Sequence, residues 1–324
     1  MLDKTRIPVT LLTGYLGAGK TTLLNRILTT NHRKRFAVIV NEFGEIGIDN
    51  DLVIGADEEI FEMNNGCICC TVRGDLIRIV SGLLKRSEGF DGVLIETTGL
   101  ADPAPVIQTF FVDDDLRDRV ALDSVVTMVD ALHFLDQVDE AHEAQEQIAF
   151  ADVIVINKTD LVDAPAVEKI ESKIRSLNKF ARIHHAVKAT VPLDQVLDRG
   201  SFDLKRLLDV EPGFLEENPA DHEHDARIVS ISLHSDQPLE PEKFSKWMRE
   251  FIMKRGVNVL RSKGILSLKG QDRRYVFQGV HMVMDSDWGM PWAVDEPRSS
   301  RLVFIGRDLD PAELENAFRN CAVS

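Results

Sequence analysis

The sequence predicts an α/β protein of two domains: a doubly wound, mostly parallel sheet with helices on both faces, followed by a smaller α+β domain. Three observations predict it. Short β-branched runs alternate with amphipathic stretches through the first half, the pattern of βα units. A glycine-rich segment follows the first apolar run directly and opens the first helical stretch. An acidic segment broken by Pro and Gly, "DVEPGFLEENPADHEHD" at 209–225, then separates this half from one of different pattern.

The strand signals in the first half are "IPVTLLTG", "RFAVIVNEF", "GVLIETTG", "SVVTMVDA" and "DVIVINKTD". Between them "KTTLLNRILTTNH", "RGDLIRIVSGLLKR" and "APAVEKIESKIRSLNKF" place apolar residues three and four apart, the spacing of one helix face. The expected division is a first domain over 1–208, a connector over 209–225 and a second domain over 226–324. In the second, "ARIVSISLHS", "ILSLKG", "RRYVFQGVHMV" and "RLVFIGRDL" read as strands, while "PEKFSKWMREFIMKRG" and "DPAELENAFRNC" read as helices. Trp288 and Trp292 fall in "DSDWGMPW", read as a turn-rich loop whose aromatics pack the small core or meet a partner.

With 324 residues, 44% of them hydrophobic, the chain can bury one large core and a second smaller one. A formal net charge of -15 argues against a protein that works by neutralising phosphate backbones, so nucleic acid is not an expected partner. No apolar run approaches the roughly 20 residues that span a bilayer, and the first run lacks a small-residue cleavage site. No membrane partner is therefore expected, and the expected compartment is the cytoplasm. Three of the four cysteines crowd into 67–70, which is not the spaced framework of a disulfide scaffold. Reduced thiols are then available for metal.

The most specific motif is "GYLGAGKT", a G-x-x-x-x-G-K-[ST] match with a strand before it and a helix after it. It makes the first domain a P-loop NTPase arrangement. Gly14, Tyr15, Leu16, Gly17, Ala18, Gly19, Lys20, Thr21 and Thr22 form the candidate phosphate cradle. Glycines let successive backbone N–H groups face phosphate oxygens at the positive end of a helix. Lys20 supplies a point charge to the β- and γ-phosphates, and Thr21 offers a hydroxyl to Mg²⁺. Glu96 ends the apolar strand "VLIE", where an acid acts on the Mg²⁺ shell or its water, and Gly99 can give its N–H to the γ-phosphate.

"NKTD", 157–160, follows the apolar run "DVIVI". A carboxylate at Asp160 accepts from the ring N–H and the exocyclic amine that guanine presents side by side. Adenine offers a lone pair at the first of these positions, and that mismatch is costly when buried. Asn157 is expected at the other guanine edge, with the Lys158 stem covering the base. Both motifs fall at carboxyl ends of strands, where open α/β sheets bind ligands.

Thiolates are soft ligands suited to zinc, cuprous copper or an iron–sulfur cluster, and Cys67 with Cys70 has the C-x-x-C spacing of zinc sites. Cys69 adds a third ligand, leaving one position exchangeable, which suits transfer. The plainer readings are a buried apolar cluster or a redox pair. The flanking "NG" and "TVRGDL" predict a turn into a helix, which favours metal. The cysteines also lie between "NEFGEIGID" and "IETTG", the segments expected to touch γ-phosphate and Mg²⁺, so one hydrolysis event could reshape the metal site. Glu42 and Glu45 in the first of these segments could orient water or join the metal, or simply be solvated acids. His133, after "SVVTMVDAL", reads more readily as a hydrogen-bonded strand-end residue than as a ligand. No clear arginine finger is present; Arg73 is the nearest candidate.

Taken in order, "GYLGAGKTT", "VNEFGEIGID", "NGCICC", "IETTGLADPAPV", "VINKTD" and "FQGVHMVMDSDWGMPW…SRLVFIG" resemble the CobW-type family of P-loop GTPases, most closely its YjiA-like branch. The resemblance implies GTP and GDP as ligands with Mg²⁺, and a transition metal, zinc or cobalt, delivered to a client metalloprotein. It implies nucleotide roles for 14–22, Glu96, Asn157, Lys158 and Asp160, and metal roles for Cys67, Cys69 and Cys70, with Glu45 and His133 secondary. Many members carry a long His-rich stretch near the domain junction; here only His222 and His224 stand there. A nucleotide-regulated metal sensor or buffer, and a P-loop small-molecule kinase, are the alternatives.

Overall fold

The computed structural model describes residues 6–30, 34–41, 60–63, 71–85, 89–202, 228–293 and 296–323. They fall into two compact units, one within 1–175 and 180–200, the other comprising 176–179 and the described residues from 201 onward. The acidic connector, Glu42, Glu45, the three clustered cysteines, His222 and His224 all lie outside the described residues.

The described part of the first unit holds a parallel sheet in the order β3-β2-β4-β1-β5-β6-β7. Its strands are β1 (Ile7–Gly14), β2 (Phe36–Asn41), β3 (Ile60–Met63), β4 (Gly92–Glu96), β5 (Val120–Asp130), β6 (Val153–Asn157) and β7 (Arg182–His185). Strands covered on both faces are apolar throughout rather than alternating, and β4 and β6 are buried at every position. The helices are α1 (Lys20–Thr29), α2 (Thr71–Leu83), α3 (Ala104–Val112), α4 (Asp114–Arg119), α5 (Phe134–Glu140), α6 (His142–Phe150) and α7 (Ala164–Leu177). On α1, Leu23, Leu24, Ile27 and Leu28 recur at helical spacing and pack with Leu12, Val38, Leu94 and Val126 of the sheet.

From β1 the chain runs outward to β2 and β3, returns through β4 and crosses to β5 on the other side of β1. The crevice outside the carboxyl ends at such a reversal is where doubly wound sheets bind ligands.

The second unit has an antiparallel sheet in the order β11-β10-β9-β12-β8. It is built from β8 (Ile228–Ser235), β9 (Val259–Leu266), β10 (Arg273–Val280), β11 (Val283–Pro291) and β12 (Ser300–Arg307), with α8 (Pro241–Arg255) and α9 (Pro311–Arg319). The Asp310 side chain caps α9 by accepting from the N–H groups of Ala312 and Glu313, two donors the helix cannot satisfy itself. Phe244, Phe251, Phe277, Phe304 and Phe318 build the core, with Trp247 packed against them.

Three sequence expectations for this unit need correction. The strand read at "ILSLKG" lies earlier, in β9, which ends at Leu266. "RRYVFQGVHMV" is not one strand but most of a hairpin, turning at His281, whose left-handed φ of 52° bends the chain. "DSDWGMPW" is not a loop: Trp288 lies in β11, opposite Tyr275 of β10. Its ring packs edge-on to Tyr275 at 5.3 Å, and the Arg274 guanidinium lies 4.6 Å over the buried Trp292 ring. Among the described residues no helix is long and apolar enough to cross a membrane.

Candidate functional site

The phosphate loop leaves β1 at Gly14 and enters α1 at Lys20. Gly19 takes φ 106°, a conformation side-chain-bearing residues rarely adopt, and a β-carbon there would lie 2.5 Å from Asn157 Nδ2. The loop can close over β6 only because this residue is glycine. Ala18 is fully buried beneath it, whereas Leu16, Gly17 and Thr22 are exposed and Tyr15 and Thr21 half-buried. The Lys20 ammonium donates to the carbonyls of Gly14 at 2.8 Å and Tyr15 at 3.3 Å, which folds its stem back along the loop. Thr21 Oγ1 donates to Glu96 Oε1 at 2.9 Å, joining the first turn of α1 to the end of β4.

Beside Glu96, Thr97 N donates to Leu12 O at 3.0 Å, and its hydroxyl donates to that of Thr13 at 3.0 Å. These bonds carry the chain from β4 across the end of β1 toward Gly99. Sequence reasoning gave no role to Gln147 of α6, which is 1% exposed and donates to the carbonyls of Gly99 and Ala101.

The motif at the end of β6 is more divided in its work than the sequence predicted. Asn157, expected at the guanine edge, is buried and faces inward. Its Nδ2 donates to Ala18 O at 3.0 Å, and its Oδ1 accepts from Ala189 N at 2.8 Å. It ties the phosphate loop to the turn after β7. That turn also escaped sequence reasoning, because its consecutive left-handed residues are Lys188 and Ala189 rather than glycines. Replacing Asn157 by alanine strands a buried donor and a buried acceptor, for an expected loss of about 2–4 kcal/mol. Urea unfolding of Asn157→Ala with and without guanine nucleotide measures it; stability equal to wild type would remove the tether from the account.

Lys158 has φ 63°, and its ammonium donates to Asp130 Oδ2 at 2.7 Å. Burial by itself raises the Asp130 pKa. Hydrogen bonds from Lys158, His133 and the Leu132 N–H outweigh it and hold the carboxyl below its ordinary range. His133, a candidate metal ligand, bonds Asp130 through Nδ1 at 3.0 Å, at the carboxyl end of β5 beside Lys158. Among the described residues no group of three or more His, Cys, Asp or Glu is placed to hold a metal. Among the described residues His133 therefore has the hydrogen-bonded, strand-end arrangement that was its plainer reading. Asp160 stands exposed in the turn after β6, with no hydrogen bond or ion pair to any described residue.

The cysteine triplet occupies the connection between the carboxyl end of β3 and α2, which begins at Thr71 with Arg73 in its first turn. The helix expected after the cysteines is present. Strand β3 is two places from β4 and three from β1. At about 4.8 Å per strand the connection starts roughly 10 Å from the end of β4 and 14 Å from the phosphate loop, along one edge of the sheet.

A family model for the CobW/HypB/UreG nucleotide-binding domain matches residues 8–185. The chain belongs to this family. A second model, the cobalamin synthesis protein CobW C-terminal domain, matches 228–322, so both CobW modules are present in order. The zinc chaperone YjiA of Escherichia coli is 37% identical over 96% of this chain and 98% of its own. The zinc chaperone CobW of Pseudomonas aeruginosa is 35% identical over 97% of this chain and 91% of its own. Among solved structures, the Zn(II)-bound YjiA GTPase from E. coli superposes with a TM-score of 0.78 at 33% identity, covering 98% of this chain and 99% of that one. A YjiA triple mutant, with one glutamate and two cysteines changed to alanine, is also Zn(II)-bound and superposes with a TM-score of 0.82 at 33% identity, over the same 98% and 99%.

Proposed function

We propose that this CobW-family chain is a GTP-hydrolysing metal-binding protein that loads a transition metal, zinc before cobalt, and delivers it to a client metalloprotein in the cytoplasm. The observation that carries the nucleotide half is the exposed Asp160 carboxylate, which pairs with none of the described residues and stands at the same carboxyl end of the sheet as the phosphate loop. It is an acceptor pair waiting for adjacent N–H groups, which guanine has and adenine lacks. Lys20 binds the β- and γ-phosphates, and the Lys158 stem covers the base. Thr21 and Glu96, hard oxygen donors 2.9 Å apart next to Lys20, suit a Mg²⁺ ion. Bound there, that ion supplies charge neutralisation at the β- and γ-oxygens. Glu42 is the candidate for orienting the attacking water. With no arginine finger evident, slow intrinsic turnover is expected.

Zinc is cargo in this reading, held by Cys67, Cys69 and Cys70 with Glu45 as an added ligand. The relatives described as zinc chaperones support the metal and the task. Support for linking metal to nucleotide is topological, since the cysteine connection leaves the sheet edge that holds Glu96 and the phosphate loop. Residues 1–208 form the GTPase domain, 209–225 a connector and 226–324 the CobW-type C-terminal domain.

The test is zinc affinity by chelator competition, measured with GDP and with a non-hydrolysable GTP analogue. Linkage is reciprocal, and a useful coupling is on the order of 5–150-fold, tighter with the analogue. A triple Cys67, Cys69 and Cys70 to serine variant should lose the tight site and the nucleotide dependence. Zinc uptake alone does not suffice, because the YjiA triple mutant lacking two cysteines is still Zn(II)-bound. Identical affinities in the two nucleotide states would leave the sensor or buffer reading in its place.

A further inference from the structure

The segment after β4 has to place Gly99 against the terminal phosphate if it is to report on it. Its own turn bond, Ala101 N to Thr98 O at 3.2 Å, is backed by contacts on two sides. On one side Gly99 lies against the phosphate loop so closely that a β-carbon would sit 2.6 Å from Leu16 N. On the other, Gln147 Nε2 reaches out of α6 and donates to Gly99 O at 3.1 Å and Ala101 O at 3.2 Å. Gln147 is 1% exposed, and its main-chain carbonyl accepts from the Thr127 hydroxyl at 2.8 Å. The support therefore runs from β5 through α6 to the loop, without a mobile surface side chain in the path.

We infer that Gln147 is a positioning residue for recognition of the terminal phosphate: it sets the 99–101 segment so that the Gly99 N–H faces the γ-phosphate of a bound nucleoside triphosphate. This rests on the nucleotide reading above. Bonding the carbonyls of a short segment restricts rotation of its peptide planes and so limits where its N–H groups can point; one carboxamide nitrogen engages two of them here, and Thr98 O accepts from Ala101 N. Gln147 is nearly completely buried, and its bond to Gly99 O is buried too, which makes that bond stronger than an exposed one; the bond to Ala101 O is partly buried. A diphosphate leaves the γ-position empty and gains nothing from the arrangement, so the contribution of Gln147 belongs to the triphosphate alone.

The test uses the full chain and its Gln147→Met variant, which keeps the side-chain length and removes both N–H donors. Affinities for GDP and for a non-hydrolysable GTP analogue are measured by titration calorimetry, and turnover by phosphate release. The expected result is a loss of about tenfold for the analogue, with GDP affinity within about twofold of wild type, as two displaced hydrogen bonds would give. The rate constant kcat should fall with it. A purely structural role would move both nucleotides together, and equal losses for the two would overturn the inference. Unchanged analogue affinity and turnover would overturn it equally. If Gln147→Met does not fold, the same comparison is read on Thr127→Val, which frees only the Gln147 main-chain carbonyl; a smaller loss selective for the analogue supports the role, and a non-selective one or none removes it. Should wild type bind neither nucleotide, the proposed GTPase function fails instead, which separates that failure from this one.

Discussion

Lys20→Ala should lower GTP turnover by about 10²–10³-fold, the usual consequence of removing one preorganised charge aimed at developing negative charge. The ammonium already points into the loop, held by the carbonyls of Gly14 and Tyr15 at the start of the cradle. A bound triphosphate draws it a short way along that loop rather than across solvent, so little reorganisation is needed. The alanine variant keeps α1, because alanine is the best helix former and the helix is anchored by Leu23, Leu24 and Ile27. Circular dichroism should be unchanged while phosphate release nearly stops. Lys20→Arg should not rescue it, since a planar fork does not fit where a compact point charge was cradled. Wild-type turnover in Lys20→Ala would take the phosphate loop out of the mechanism.

The second large effect is a change of base. Asp160→Asn exchanges one acceptor for a donor, which mismatches the exocyclic amine of guanine and matches the carbonyl that xanthine carries there. A shift of about 10²–10⁴-fold in the ratio of GDP to xanthosine diphosphate affinity is expected, because a site built around paired hydrogen bonds rejects a ligand that leaves one unpaired. The substitution should be cheap for the fold: Asp160 is exposed and makes no bond to any described residue. Titration of both diphosphates against wild type and variant reads the ratio directly, and an unchanged ratio would show that Asp160 does not touch the base. Asn157→Ala provides the contrast, since it loses stability by untying the phosphate loop from the turn at Ala189.

How the site was legible depends on the kind of residue. Gly14 to Thr21, Glu96 and Asp160 were readable as candidates because each stands in its own short motif at the end of an apolar run. Gln147 and Asp130 were not, because a polar residue that supports another segment has no local pattern to mark it. The edge strands β3 and β7, "IFEM" and "RIHH", are four residues each, too short to show a period as strands, and gain their pairing only from β2 and β6. Trp288 was misplaced for a related reason: "DSDWGMPW" is rich in turn-forming residues, and only the ladder with β10 makes it a strand.

By itself the sequence determined the class of fold, the strand-to-helix turn of the glycine-rich loop, the N-K-x-D motif at the end of an apolar strand and the helix that follows the cysteines, since all of these follow from periodicity and motif chemistry over fewer than about 15 residues. Only the tertiary structure decided that Asn157 ties the phosphate loop to the turn at Ala189, that His133 bonds Asp130, and that Gln147 braces the loop at Gly99. The physical reason is that a hydrogen bond between Gln147 and Gly99 spans 48 residues of chain. Such a bond exists only once β5 and α6 have packed, when the cost of leaving a buried polar group unpaired selects its partner.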